Sequence, residues 1–525
     1  MSFEENGFNI LPNFEEIDFI RPLINVGALF DIPTGNYHFG MYGESILNGG
    51  VGLMTGIVGI GNNFKSTVMH YLMLVAASRF EFTKMVTYDT EMNITRGRLQ
   101  RLAAFVGGHK LKDVVYNGVW QITDRTIYFA NEWYEKLKEF MDTKVKNKKK
   151  FLRNTPFVSY DKKSFIQWMI PTFGQCDSFT EFETSDVGAM QNDNELGDSG
   201  ANTIHMRQGL AKIRFMSDVL KRASQANMPM FLTAHVGKDI PMDPRAGPVK
   251  KLQFLKNGDK IKGATDKFNF LPTLVLQCQN AAPFTNKTTR AAEYPLDTAD
   301  NHNEGDTDLN IVTVISLRNK SGPTGHVLPL LVSQRDGVLG SLSEFHYCKT
   351  DERWGLEGND QNYAMSLRPQ VKLSRTTVRG KIDSDAKLRR AVNISAEMLE
   401  IKNFWHHIDE GLMCTPKQLY DDLIAMGYDW DVLLDTRGWW TLNNTDPTLK
   451  PFLSTMDLLR MRKGIYHPYW LANDNKTVID ITSKKYINEF NALMERLKST
   501  KLVNLAENEK AAEEEVVDED LVEVE

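Results

Sequence analysis

The chain has 525 residues, 42% of them hydrophobic and 25% charged, with a net charge of −6; that is long enough for two or three domains around a large core, and the composition is that of an ordinary soluble globular protein. No run of about 18 apolar residues occurs, so no helical membrane span is expected, and the acidic N-terminus lacks the basic region of a secretory signal. The four cysteines, Cys176, Cys278, Cys348 and Cys414, are far apart in sequence, which speaks against a zinc site or a disulfide framework and for a reducing cytoplasm.

Residues 1–38 scatter apolar and aromatic side chains (Phe14, Ile17, Phe19, Leu23, Phe30) over too short a length for a core. They read as an arm that packs on the body or on a neighbouring subunit. Gly49-Gly50 marks a turn. The apolar run from Leu53 then ends in Gly59-Ile60-Gly61-Asn62-Asn63-Phe64-Lys65-Ser66-Thr67, followed by helical spacing at Met69, Leu72, Met73 and Val75. Strand, glycine-containing loop and helix in this order form a cradle for phosphates: backbone N–H groups and a helix N-terminus face the anion, Lys65 adds a point charge and Ser66 a hydroxyl for Mg²⁺. Phe64 stands where the usual pattern has glycine. A purely structural glycine turn is the other reading.

A second strand, Lys84 to Tyr88, ends in Asp89-Thr90-Glu91, at the strand end where open parallel sheets hold ligands. Glu91 is positioned to orient or deprotonate a water in line with a γ-phosphate; the alternative is a pair of helix-capping acids. A short basic helix follows, closed by Gly107-Gly108, and Arg98 on it faces a nucleotide base or solvent. An amphipathic helix is expected around 127–141. The lysine run Lys144 to Lys150 suits nucleic acid or is a solvated face.

Phe157 to Phe173 reads as a hairpin turning at Asp161-Lys162-Lys163, feeding a strand that ends Cys176-Asp177-Ser178. Asp177 has the position of the acid that holds the Mg²⁺ water, although Gly174 and Gln175 interrupt the apolar pattern. Polar residues through Gly197, Asp198 and Ser199 form a loop, a helix spans about 204–226, and the buried strand Met228 to Ala234 ends in His235, either a core histidine or a polar sensor at the nucleotide's edge. Behind it lies a loop of about thirty residues, long enough to be functional. It carries Lys238, Arg245, Lys250, Lys251, Lys256, Lys260 and Lys262 with Phe254: cations for phosphates and an aromatic for bases, as a single-strand binder requires.

Strands at 271–278 and 310–317 flank a polar insertion, and the second ends in Arg318-Asn319-Lys320. These two cations either reach a phosphate on a neighbouring subunit or are surface charges near a turn. Residues 346–390 read as a polar, basic linker. Thr415-Pro416 is an N-cap and N1 pair in a helical segment, while His406, His407 and His467 lack metal-ligand spacing and read as structural. From Glu507 on, ten acids face one lysine, a tail that solubilises or that competes with a polyanion for a basic surface.

Taken as an ordered set, these motifs resemble the RecA-type recombinases, closest to the phage UvsX branch, whose phosphate loop similarly carries Phe-Lys-Ser. The resemblance covers about residues 35–345. It implies an α/β RecA-like P-loop ATPase core with a twisted, mostly parallel sheet (39–345) after the arm (1–38), then a linker (346–390), a smaller mainly helical C-terminal domain (391–505) and an acidic tail (506–525). It implies ATP and Mg²⁺ as cofactors, with Gly59 to Thr67, Arg98, Asp177 and His235 around the nucleotide and Ser66 and Asp177 on the metal. Glu91 and Lys65 would be catalytic, with Arg318 and Lys320 reaching across a filament interface. Gly197, Asp198 and Ser199 would belong to a first DNA loop, and Arg245, Lys250, Lys251, Phe254, Lys256 and Lys260 to a second, coupled to ATP by His235. The expected protein is thus a cytoplasmic DNA-dependent ATPase (in the host cytoplasm if phage-encoded). It would form helical filaments on single-stranded DNA, pair them with double-stranded DNA and meet single-strand-binding and mediator proteins, with no membrane partner. A ring-shaped helicase of the same fold is one rival, although only about 38 residues precede the core where such enzymes keep a sizeable domain. A non-hydrolysing, nucleotide-gated DNA-binding scaffold is the other.

Overall fold

The computed structural model describes residues 20–479 apart from 93, 124–128, 160–163, 193–200, 240–251, 264, 360, 406–407, 409–410, 447 and 475. Its centre is a ten-stranded sheet. In chain order the strands are β1 (Met54–Gly59), β2 (Lys84–Asp89), β3 (Trp120–Thr123), β4 (Thr172–Asp177), β5 (Met230–Lys238), β6 (Asp259–Ile261), β7 (Leu274–Pro283), β8 (Leu309–Asn319), β9 (Val327–Ser333) and β10 (Gly337–Val338). Across the sheet they run β10-β9-β8-β7-β1-β5-β4-β2-β3, with β6 paired to β5. The six strands from β7 to β3 are mutually parallel and the β8–β10 edge is antiparallel. The architecture is therefore mixed α/β with a large, mostly parallel sheet. β1 lies between two neighbours with helices on both faces, so every residue of it is buried, which is why it reads as a continuous apolar run.

The helices that matter to the site are α1 (Lys65–Ser78), α2 (Arg96–Gly107), α3 (Ala130–Lys146), α4 (Ala201–Ala226), α5 (Gly340–Thr350) and α6 (Ala386–Phe404). The polar character of β4 has a packing cause. Gln175 is fully buried and its Oε1 receives the Thr87 hydroxyl at 2.9 Å and lies 3.0 Å from His70 Nδ1 on α1, while the Trp120 indole donates to Thr87 at 2.8 Å. A satisfied polar chain thus fastens α1 to the sheet. Gly174 leaves space for Met230, whose sulfur would stand 2.4 Å from a Cβ there.

Pairing overrides composition at two places. β7 starts at Leu274 rather than 271 and continues to Pro283, because Asn280–Pro283 pair with Asn310–Thr313. Residues 346–390, expected as a linker, are built into the body: strands Leu356–Gly358 and Tyr363–Met365 pair, helix Val378–Ser384 follows, and Tyr363, Met365, Leu373, Val378 and Ile382 are buried. The basic residues that suggested a linker are partnered. Arg379 lies within 3.3 and 3.5 Å of Asp308 and Asp336, and Arg368 within 2.5 Å of Asp431.

Of the N-terminal arm, residues 20–38 rest on the body, with Ile24 bridging to Val51 and Ile32 joining the core made by α6 and the later helices Pro416–Ala425, Trp430–Leu434 and Thr455–Arg462. Thr415 caps its helix as expected, in a reciprocal pair with Gln418. His467 is satisfied by Tyr428 and the Leu471 carbonyl, whereas His406 and His407 lie outside the described residues. Beyond α6, Trp440 is buried in an aromatic cluster with Phe80, Phe157 and Trp168, from α1's end and the Leu152–Val158/Phe165–Met169 hairpin. The 506–525 tail lies outside the described residues. Among those described, no helix is long and apolar enough to cross a membrane, and the four cysteines are buried and free.

Glu400 of α6 is fully buried, with its carboxylate 3.5 Å from His326 Nε2. Burial lifts its carboxyl to about 8 and lowers the His326 imidazole to about 4. A raised carboxyl keeps a proton that the unfolded chain sheds, so its stabilisation is complete below about pH 4.5 and lost as pH rises to about 8. His326 has the opposite sign and acts below about pH 6.5. Glu400→Gln is therefore expected to flatten the fall in stability between about pH 6.5 and 8, by at most about 1.4 kcal/mol per pH unit, in urea melts across that range.

Candidate nucleotide site

The parallel register aligns three strand ends: Gly59 of β1 stands level with His235 of β5 and Cys278 of β7, and one strand further Asp177 of β4 is level with Asp89 of β2. The loop 60–64 leaves β1 at this edge. Asn62 and Phe64 both take left-handed backbone, φ 61° and 58°, which curls the loop into a concave nest of amides. A bulky residue held there costs about 1–3 kcal/mol; Phe64 offsets the strain by packing its ring on the main core. Asn63 fixes the loop from the other side, its amide donating to Gln279 O at 2.6 Å and Cys278 O at 3.4 Å.

Among the described residues no backbone carbonyl accepts from the amides of residues 61–64, and α1 starts without a side-chain cap. These donors, together with the positive end of a 14-residue helix, make an anion site. Lys65 is buried and its ammonium donates to Ile60 O at 2.8 Å, folded over its own loop. Burial lowers its pKa, while the nearby Cys278, Asp177 and Glu91 push it up. Ser66 is half-buried on the first turn of α1 and Thr67 is buried behind it. Asp177 is 5% exposed and its Oδ1 accepts the Thr233 hydroxyl at 2.5 Å. Unclaimed amides, a lysine, a hydroxyl and an acid at one edge fit a triphosphate with a divalent cation.

The two acids after β2 divide the roles that sequence left open. Asp89 caps no helix, since α2 has Thr95 as its N-cap, but folds the turn before it: its carboxylate accepts from the amides of Glu91 at 3.2 Å and Ile94 at 2.8 Å. Glu91 is thereby carried outward, its Oε1 3.3 Å from His235 Nε2, with both side chains 32% exposed. His235 is accordingly no core histidine. Thr90 ties the two strand exits together, bonding Asp177 O at 2.8 Å and exchanging bonds with Ser178 at 2.7 and 3.0 Å.

Arg98 is exposed on the first turn of α2, whose Leu99 and Leu102 face inward. Arg318 pairs in register with Val275, itself level with Gly56, and the Lys320 amide donates to Thr273 O beside Met54. Both cations therefore stand towards the amino end of the parallel strands, Arg318 about 13 Å and Lys320 about 20 Å by strand rise from the phosphate loop of their own chain. They do not extend side by side, because the Lys320 ammonium turns back to Leu271 O at 2.7 Å.

Behind His235, residues 252–263 are more regular than the loop expected there. Gly258, at φ 79°, turns the chain so that β6 pairs with β5, and ion pairs cross between them, Lys238 to Asp259 at 2.5 Å and Lys260 to Asp239 at 2.9 Å. Lys260 is thus engaged within the protein. Phe254 is partly buried, its ring covering Gly325, where a Cβ would lie 2.4 Å away. Lys256 is exposed. Gly197, Asp198, Ser199, Arg245, Lys250 and Lys251 lie outside the described residues. In the lysine run, Lys144 is buried and donates to Ile170 O, Thr172 and Asn227 O at 2.7, 3.0 and 3.3 Å, while Lys148 to Lys150 are exposed.

Three residues that bear on the edge had no motif to announce them: Thr233, Thr180 and Lys212. Thr180 Oγ1 accepts the His235 amide at 3.0 Å, and Lys212 donates to Thr180 O. A signal existed for two of them. Thr233 is a lone hydroxyl inside an apolar strand, and Lys212 falls on the apolar stripe of α4 with Met216, Val219 and Ala223.

No family model and no curated protein matches the chain. Among solved structures it is similar to the one titled "Crystal structure of the RadB recombinase", with a TM-score of 0.30 and 14% identity over 55% of this chain and 92% of that one. A likeness at that score assigns neither activity nor ligand.

Proposed function

We propose that the chain binds and hydrolyses ATP at the carboxyl edge of the sheet and acts as a RecA-type DNA recombinase of the UvsX kind, assembling head to tail on single-stranded DNA and pairing it with homologous duplex. The observation that carries this reading is the contact of Glu91 with His235, 3.3 Å apart, at the same edge as Lys65 and Asp177. It joins a water-activating acid to the strand that continues into the cationic segment.

In this reading the amides of Gly61 to Phe64 and the α1 N-terminus hold phosphate oxygens, and Lys65 leaves Ile60 O to neutralise them. Ser66 and Asp177 hold the metal and its water. A Mg²⁺ held by them would supply charge neutralisation to the phosphates. Glu91 orients the attacking water and takes its proton, and Arg98 lines the base. His235, sharing Glu91, passes the occupancy of the site to the segment with Lys256, which binds the single strand together with Gly197 to Ser199, Arg245, Lys250 and Lys251. Arg318 and Lys320, remote from their own phosphate loop, serve the ATP of the next subunit. The acidic tail competes with DNA for the same cationic surface.

The test is ATP turnover with and without single strands, alongside electron microscopy of the protein with both ligands. DNA-stimulated turnover and helical filaments are expected; closed hexamers would make it a helicase, and absence of turnover with DNA bound would leave a gated scaffold.

A further inference from the structure

Lys212 occupies a position where a charge is costly. It lies on the buried stripe of α4 and is 3% exposed. Its ammonium nevertheless has two good acceptors, Thr180 O at 2.7 Å and Gly263 O at 2.9 Å, and stands 5.6 Å from the centre of the Phe179 ring. Burial pulls its pKa down to about 8, against Glu181, Cys176 and Glu183, which push it up. A buried ammonium bridging two loop carbonyls is a directional tie rather than a solubilising charge.

What it ties together is specific. Thr180 follows Asp177 by three residues, and its hydroxyl both accepts the His235 amide at 3.0 Å and donates to Lys262 O at 3.2 Å. Lys262 in turn donates its amide to His235 O at 2.7 Å. Gly263, the other acceptor of Lys212, follows Lys262 directly and sits at φ 61° against Thr180, whose backbone would be 2.9 Å from a Cβ at that glycine. The exit of β4, the end of β5 and the far end of the 252–263 segment thus share one knot of hydrogen bonds, with Lys212 as its only charged donor among the described residues.

We propose that Lys212 is a positioning residue that couples the nucleotide edge to the 252–263 segment, by holding the Thr180 and Gly263 carbonyls at fixed separation so that a shift beyond Asp177 or at His235 is passed to β6 and the residues before it. This rests on the reading of the site as an ATP-driven DNA binder. An uncharged side chain of similar length fills the space and releases both carbonyls, so the knot loses its charged tie and is left with the neutral bonds of Thr180 and Lys262.

The experiment compares wild type with Lys212→Met, measuring affinity for a fluorescent ATP analogue and affinity for a labelled single strand in ATPγS and in ADP. Wild type is expected to bind the strand more tightly in ATPγS by about 5–150-fold, the range of an ordinary coupling energy. In Lys212→Met that ratio is expected to fall to within about twofold of unity while nucleotide affinity stays within about threefold, a split that a merely structural lysine would not produce. A wild-type ratio near one overturns the functional reading itself; a wild-type ratio retained in Lys212→Met overturns the coupling role alone. If Lys212→Met does not fold, Thr180→Val, which keeps Lys212 and severs the hydroxyl's two bonds, decides: a collapsed ratio supports the coupling and a retained one overturns it.

Discussion

Glu91→Gln is expected to lower ATP turnover by about 10²–10⁴-fold, the range for loss of a positioned general base, while leaving nucleotide affinity within about threefold. The substitution is nearly isosteric, and the turn that presents residue 91 is folded by the Asp89 carboxylate through the Glu91 and Ile94 amides, which the change does not touch. The glutamine also keeps a polar contact to His235, now 3.3 Å from the carboxylate. What is lost is the ability to take a proton from water. Steady-state turnover and titration with a fluorescent nucleotide separate the two quantities; turnover within about twofold of wild type would remove Glu91 from the chemistry and leave it a partner of His235 only.

Trp440→Ala is expected to cost about 3–5 kcal/mol of stability, as for other large aromatic truncations in a core. The indole is 1% exposed, contacts Phe80, Phe157 and Trp168 with ring centres 5.5, 5.3 and 5.8 Å away, and donates to Leu23 O at 3.1 Å. Its removal therefore opens a void where the C-terminal segment, the hairpin, the end of α1 and the N-terminal arm meet, and strands a carbonyl as well. Urea unfolding followed by far-ultraviolet circular dichroism reads the loss. A cost below about 1 kcal/mol would mean that the cluster is not a joint of the folded body.

Much of the layout of the candidate edge was legible because its residues are local in sequence. A loop, a lysine and a hydroxyl in nine consecutive residues, then an acid at the end of each of two strands, need only strand order to meet. Sequence singles out Glu91 but leaves a pair of helix-capping acids as the alternative, since which carboxylate folds the turn and which projects depends on the amides of residues 91 and 94 folding back. The cationic segment misled in a different way. Lys260 and Phe254 have the residue types of a nucleic-acid contact, but an antiparallel partner strand gave Lys260 an acid, and an opposing glycine, Gly325, gave Phe254 a seat. The 346–390 stretch reads as a linker for a related reason: Arg368 and Arg379 look solvated in one dimension and are paired in three. Lys212 and Thr180 engage backbone carbonyls and amides, partners that leave no mark on composition, so that only the place of Lys212 on the apolar stripe of α4 signals it.

The antiparallel turn at Lys320 and the phosphate loop lie at opposite rims of one sheet, so on the proposed reading no isolated molecule owns a finished reaction centre. A row of n subunits joined front to back completes n − 1 of them, and the last copy holds a nucleotide it has no second partner to act upon. Specific activity should then climb with protein concentration and level off as rows lengthen, and the two extremities of each row should differ, one retaining its nucleotide and the other offering bare cations.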